Sequence, residues 1–303
     1  MIMYLVQHAW EVLWRDGPIV LMQETLKYIG VYYRPGKLLK WWLTRMAGIR
    51  VAIREVQGST MILDLSDKGI HRDLYLHGIR EPQATRYLQS ILRSEWVVVD
   101  IGANVGYYAL QEARIVRSVI AIEPTPASYH ALRRNVMVND YRNVMTYQLA
   151  AGDHVGEIGL AVSRACNWNS IAETGGDITV VMMTLDSFLR DMKVDFVRMD
   201  VEGYEMNILK GMENILKEQK PRMFLEVHRD KLRDYGSSQR ELMEYLAQFG
   251  YSIEKAFVMG RDGVSGQKIE ALLANDKTAK VITEQGIASH LFFSCDATTH
   301  EGV

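Results

Sequence analysis

Cysteine is nearly absent: the 303 residues hold two, Cys166 and Cys295, far apart and without C-x-x-C spacing. This excludes a disulfide framework or a thiolate zinc centre and fits a reducing compartment. No uninterrupted apolar run approaches the ~18 residues of a membrane-spanning helix. Met1 to Trp10 lacks a basic start and is soon followed by Glu11, Arg15 and Asp16, so no cleaved signal peptide is expected. A formal charge of −2 supplies no global field for nucleic acid. Internal repeats and low-complexity segments are also missing. What is present is 48% hydrophobic residues, enough for a substantial core. One large cytoplasmic domain with an appendage is expected.

The appendage is residues 1–48. The first fifty residues carry seven Lys or Arg against three acids, and four of the six tryptophans: Trp10, Trp14, Trp41 and Trp42. Helical spacing is plain in Trp10/Leu13/Trp14, in Met22/Leu26/Ile29, and in Leu39/Leu43/Met46 with Trp42 beside them. Asp16-Gly17-Pro18 is a helix start, and Arg34-Pro35-Gly36 separates two helices. This is the composition of an interfacial anchor, here peripheral at the inner membrane face, and equally of a helical lid or dimer contact. The oligomeric state is not written in the sequence. Residues 49–80 read as a β-hairpin and connector, with Arg50 to Ile53 and Met61 to Leu65 joined across Gln57-Gly58.

Residues 81–303 alternate as an α/β sheet should. Glu81 to Arg93 reads as a helix, and Val97-Val98-Val99 as a buried strand. The loop from Asp100 to Gly106 leads into a helix from Tyr107 to Val116. A second strand, Ser118 to Ile122, ends on Glu123. Strand, glycine turn, helix, strand and terminal acid make a nucleotide-binding half. The glycines let the backbone approach a ligand, helix-start amides face it, and Glu123 can accept both hydroxyls of a ribose. The dinucleotide fingerprint G-x-G-x-x-G is lacking, since Gly102 and Gly106 have three residues between them. Asp100 at the strand end suits an ammonium group, such as the amino-acid part of S-adenosylmethionine, better than a polyphosphate. Further strands are expected at Val144 to Ala150, Gly156 to Val162, Ile178 to Met183, Val194 to Met199, Arg222 to Val227, Ser252 to Val258 and Ala288 to Ser294. Helices fall at Leu185 to Asp191, at Tyr204 to Lys217 and around Leu242 to Phe249.

Open α/β sheets place their sites at the carboxyl ends of their strands. Asp100, Gly102, Asn104, Gly106 and Glu123 are assigned to the cofactor. Asp153 suits either the adenine amino group or a simple turn. Asp200, Glu202, Glu226 and His228 end the next two strands on the acceptor side. A hydroxyl acceptor needs its proton removed, and His228 is the first choice of base, with Glu226 or Asp200 orienting it. Alternatively Asp200, Glu226 and His228 hold a divalent magnesium or manganese ion. Helix capping is the competing role for Asp200 and Glu202. The other histidines, His290 among them, read as structural, and the polar, aromatic loop Asn167 to Ser170 as a surface loop, with cover for adenosine or a sugar ring as its other role.

Val97 to Tyr108, Ala121 to Pro124, Thr184 to Asp186, Val194 to Glu205, Leu209 to Gly211 and Phe224 to His228 resemble, in order and spacing, the FkbM family of S-adenosylmethionine-dependent methyltransferases. The similarity runs from about Glu81 to Ser294. It implies an α/β, Rossmann-like class I methyltransferase fold with a seven-stranded sheet, here preceded by the helical extension and hairpin. It also implies methylation of oxygen in a sugar, glycan or polyketide. Asp100, Gly102, Asn104, Gly106 and Glu123 match the cofactor motifs; Asp200, Glu202, Glu205, Glu226 and His228 match the acidic motifs. The chain departs from the family at Arg198-Met199, where a lysine–isoleucine pair is usual, a change expected to stay inside the strand and away from chemistry. The expected function is O-methylation of a hydroxyl on a sugar, glycan or glycolipid, with no nucleic acid partner. Its rivals are methyl-ester formation on a hexuronic acid, a non-catalytic nucleotide-binding scaffold and, more distantly, a nicotinamide oxidoreductase.

Overall fold

Gln57 and Gly58 both take positive φ, 51° and 80°, which is what a two-residue hairpin turn requires. In the computed structural model they join β1 (Val51–Val56) to β2 (Ser59–Asp64). The structure describes residues 35–67, 69–163, 170–172, 175–260, 269–273 and 286–295. Two compact units divide the chain: residues 1–49 with 260–268, and residues 50–259 with 269–303. In the first, α1 (Pro35–Met46) leaves Leu39, Trp42, Leu43 and Met46 exposed, at helical i, i+3, i+4, i+7 spacing. The helices expected before residue 35 lie outside the described residues. Among those described, no helix is long and apolar enough to cross a membrane.

The second unit is built on one large sheet. Its strands include β3 (Val97–Ile101), β4 (Ser118–Ile122), β5 (Val144–Tyr147), β10 (Phe196–Met199), β11 (Arg222–His228), β12 (Ser252–Gly260), β13 (Ile269–Leu273) and β14 (Gly286–Ser294). Their order is β13-β12-β14-β11-β10-β3-β4-β5. The run from β11 to β5 is parallel, and β14 returns antiparallel to β11. These are the seven strands expected, plus β13 at the edge, which comes from the weakly patterned segment after residue 260. A smaller sheet, β6 (Ala150–Ala151), β7 (Gly156–Ala161), β8 (Ser170–Ala172) and β9 (Ile178–Met183), runs in the order β6-β9-β7-β8. The single strand expected from Val144 to Ala150 is thus split between the two sheets.

Strand parity sorts the core into two faces. Val99, Ile101, Ile120, Ile122, Met199 and Leu225 share one cluster with Ile208, Met212 and Leu246. Val98, Val119, Ala121, Phe196, Phe224 and Phe292 share the other with Leu88 and Leu110. The helices of this second face are α2 (Ile70–His77), α3 (Pro82–Ile91), α4 (Tyr107–Ala113) and α5 (Pro126–Val138). Val56, Met61 and Leu63 of the hairpin are buried in the same cluster, so hairpin and sheet form one core. The helix expected over Tyr204 to Lys217 is interrupted. It gives α6 (Glu205–Lys210) and a π turn at Ile215–Gln219. Gly211 between them is pressed on the backbone, for a Cβ there would sit 1.9 Å from the Gly152 carbonyl oxygen.

Candidate active site

Register places the polar residues. Arg198 on β10 pairs with Asp100 on β3 and with Phe224 on β11, while Glu226 pairs with His290 on β14. Paired residues point to the same face, and so do residues two apart along a strand. Asp100, Arg198, Asp200, Glu226, His228 and His290 therefore form a polar row at the carboxyl ends of the strands. The stacked rings of Phe224 and Phe292, 4.3 Å apart, lie beneath it.

Beside this row a cavity opens. One end is lined by Gly102, Ala103, Asn104, Glu123, Pro124 and Thr125, with Ile101, Ile122, Ala150, Ala151, Leu160 and Ile171 as its apolar walls. Arg80, Tyr107, Tyr108, Arg198, Asp200 and Glu202 line the rest. Glu123 is held in place by two backbone donors, Thr125 N–H to Oε1 at 2.8 Å and Asn104 N–H to Oε2 at 2.9 Å. Burial raises its pKa to about 7 despite those bonds. The Thr125 side chain donates to it as well, so of the four lone-pair sites of the carboxylate one is left for a ligand hydroxyl. Gly102, at φ 75°, abuts the opposite strand end: a Cβ would lie 2.0 Å from the Asp200 carbonyl oxygen. Gly106, at φ 92°, is instead packed against Leu132. Both glycines thus answer to backbone shape and packing.

Several expected site residues sit elsewhere than at the cavity wall, and one unexpected residue sits there. Asp100 does not line the cavity. It is fully buried, and Arg198 Nη1 donates to its Oδ1 at 3.0 Å, so its charge is spent inside the protein. Asp153 turns to His154 at 2.7 Å and to Asn207 at 3.4 Å, away from the cavity, which Ala150 and Ala151 line in its stead. Arg198, expected to be remote from chemistry, is a cavity residue. It bridges Asp100 and Asp200, donating to Asp200 Oδ2 at 3.1 Å, and lies 4.0 Å over the Tyr108 ring. Ser170 also lines the cavity; Asn167 to Asn169 lie outside the described residues.

His228 stands behind the cavity. Its Nε2 lies 3.3 Å from Glu226 Oε1 and 3.5 Å from Glu202 Oε2. Burial disfavours its charge, but hydrogen bonding to Glu226 and the charges of Glu226, Glu202 and Asp200 lift its pKa to about 9. At neutral pH it is an imidazolium and has no lone pair for a proton. His290, read from sequence as structural, is the second imidazolium. Fully buried, it sits 3.3 Å from Glu81 and 3.6 Å from Glu226, and those carboxylates overcome burial to raise it to about 10. Glu226 is correspondingly held well below the usual range, burial notwithstanding, by His290, His228 and Arg80. Asp200 behaves oppositely: burial, then the charge of Glu226, push it up to about 8 against the pull of Arg198. Two carboxyl groups that line the cavity are thus raised towards neutrality, Glu123 between Asn104 and Thr125 and Asp200 beside Arg198.

Asp200, Glu226 and His228 bring one donor atom each within 4.8 Å of one another, as do Glu81, Glu226 and His290. A metal ion would have to displace the proton from each imidazole, because only neutral histidine is a ligand. Arg80 and Glu81 went unnoticed in the sequence because they sit in a connection without a motif. His290 could be joined to Glu226 only through the β11–β14 register. Arg198 did carry a signal, since a charge inside a buried strand demands a partner.

These charges set the pH dependence of stability. Glu123 and Asp200, with Glu205 raised by burial to about 7, hold protons that the unfolded chain releases near its ordinary carboxyl values of 3.8 to 4.5. Their effect on stability therefore falls as pH rises from there to about 8. His228 and His290 act in the same direction: their stabilisation is complete below 6.5 and is lost as pH climbs through 9 and 10. Glu81, brought to about 2 by Arg80 and His290 against burial and Glu226, stabilises above 4.5 and fails as pH falls. The melting temperature should thus peak near about pH 5 and decline steadily to about pH 9. A melting temperature that climbs over that interval contradicts these assignments.

Residues 100–253 match the sequence profile of the methyltransferase FkbM domain. Among curated proteins, the hexuronic acid methyltransferase AglP of Haloferax volcanii is 28% identical over 143 residues, covering 45% of this chain. Methyltransferase 1 of Beauveria bassiana is 23% identical over 145 residues, covering 39% of the chain. The chain spans 58% of the length of each of these relatives. Among solved structures, a methyltransferase FkbM from Methylobacillus flagellatus superposes with a TM-score of 0.44 at 18% identity, over 73% of this chain and 52% of that one.

Proposed function

The chain belongs to the methyltransferase FkbM domain family, and from that premise we propose that it is an S-adenosylmethionine-dependent O-methyltransferase acting on a hydroxyl of a sugar or glycan. The residues present suit this cofactor. Glu123 can take a ribose hydroxyl, and the slot between Ile122, Ala151 and Ile171 can take a flat adenine. The cofactor supplies an electrophilic methyl group on a sulfonium. The protein must then orient the acceptor oxygen, exclude water and remove one proton.

One observation carries the assignment of that proton: with Glu123 taken by the ribose, Asp200 is the remaining cavity carboxylate with a near-neutral pKa, about 8, which matches a general base. The acceptor oxygen bonds to the methyl carbon as the carbon–sulfur bond breaks, and the hydroxyl proton passes to Asp200. Glu226 and His228, expected to carry the chemistry, act from behind by setting the charge that Asp200 feels. Incubation with methyl-labelled S-adenosylmethionine and the native glycan pool should place label in an alkali-stable ether. Binding of the cofactor without label in any acceptor would favour the scaffold reading instead.

A second reading is methyl-ester formation on a hexuronic acid. The AglP relative carries that name, and an ionised carboxylate needs no base. It predicts label that mild alkali releases.

A further inference from the structure

We propose that Arg80 is the docking point for an oxyanion on the acceptor, a carboxylate or a phosphate ester, so that the substrate of this site is an acidic sugar. The proposal rests on the methyltransferase reading above. Among the described residues lining the cavity, the cationic side chains are Arg80 and Arg198. Arg198 is committed, with one terminal nitrogen on Asp100 and the other on Asp200. Arg80 is not. Its Nε donates to Glu81 Oε1 at 2.5 Å, and its two terminal nitrogens have no hydrogen-bond partner among the described residues.

The open edge of this guanidinium is a built feature. The Arg80 backbone is clamped from both sides: its N–H donates to the Tyr107 oxygen at 3.0 Å, and its carbonyl accepts from Thr85 Oγ1 at 2.8 Å. Glu81, which takes the inner edge of the guanidinium, is held at φ 45°, a left-handed backbone that only firm surroundings maintain. Glu81, Glu226 and Asp200 all attract the Arg80 charge, but each also has another cation, Asp200 having Arg198 at 3.1 Å. Glu81 has His290 at 3.3 Å, Glu226 has His228 at 3.3 Å, and Glu202 bonds Lys231. A planar fork with two unmet donors matches a carboxylate or phosphate bidentately. The row of cavity residues then reads as a division of labour. Arg80 grips the charged group of the sugar, and Asp200 meets the reacting one.

Calorimetry on protein saturated with S-adenosylhomocysteine tests this, using D-glucuronate, glucose 1-phosphate and glucose as probes. Wild type should bind at least one of the acidic sugars about tenfold or more tighter than glucose, and Arg80→Met should abolish that preference. Arg80→Lys, which keeps the charge but loses the fork, should retain part of it. In both variants S-adenosylhomocysteine affinity should stay within about threefold of wild type. Preference for glucuronate or for the phosphate tells which oxyanion is read. Equal binding of all three sugars by wild type, which involves no variant that could misfold, overturns the proposal. So does a drop of about tenfold in S-adenosylhomocysteine affinity in the variants, since the fork then holds the cofactor's own carboxylate. Wild type that fails to bind S-adenosylhomocysteine at all overturns the methyltransferase reading, and this inference with it.

Discussion

Asp200→Asn is expected to lower labelled-methyl transfer by ~10²–10⁴-fold, the usual contribution of a positioned general base. The amide keeps the size of the side chain and can still accept from Arg198, so the fold and the cavity should persist. Deprotonation of Asp200 is required for its role, so wild-type transfer should rise with pH and level off above about 8. The charge of Glu226 is one cause of that high value. Glu226→Gln should therefore move the midpoint of the profile downwards, and transfer at low pH should improve relative to the plateau. A flat profile from about pH 6 to 9, together with an Asp200→Asn variant within about threefold of wild type, points to an acceptor that arrives already ionised. The ester-forming reading would then replace the ether-forming one.

Asp100→Ala should destabilise the protein by ~3–5 kcal/mol, because it leaves the buried Arg198 charge with Asp200 as its one remaining carboxylate. Asp100 is fully buried and the Arg198 side chain is 4% exposed. Arg198 also sits over the Tyr108 ring, so it cannot swing out to solvent without breaking the packing under α4. Replacing both members, Asp100→Ala with Arg198→Met, should recover much of the loss, since the stranded charge goes with its partner. Denaturant midpoints of the two single variants and the double variant measure this directly. An Asp100→Ala protein that unfolds like wild type but no longer binds S-adenosylhomocysteine would restore the ligand role expected from its sequence position.

The contrast between Asp100 and Glu123 shows where sequence was informative. Asp100 is the penultimate residue of β3, Glu123 follows β4, and both match a cofactor motif, yet of the two Glu123 alone lines the cavity. The strand run Val97 to Ile101, the positive-φ turn and the acid after β4 are local patterns, and local patterns can be read one residue at a time. Which side chain neutralises Asp100 depends on the register between β3 and β10, whose partners are 98 positions apart. The same holds for Glu226 and His290, joined only by the antiparallel return of β14. Parity alone would have put Arg198 with Asp200 and Glu226 with His228, but not the two pairs on one face or next to Asp100, because register is set by packing and loop length. The break at Gly211 was hidden for a related reason. Ile208, Met212 and Ile215 keep helical spacing across it, and the break shows only in a distant residue: Asp186 N–H donates to the Gly211 carbonyl, and the Asp186 carboxylate accepts from Asn214 and Ile215 N–H.

A crystal structure with S-adenosylhomocysteine will show whether the cavity at the rim of the large sheet holds the methyl donor. A ribose hydroxyl is expected on Glu123, the adenine between Ile122 and Ala151, and the sulfur facing Asp200. A ligand bound elsewhere, or one in this cavity whose ribose lies beyond hydrogen-bond reach of Glu123, would contradict it.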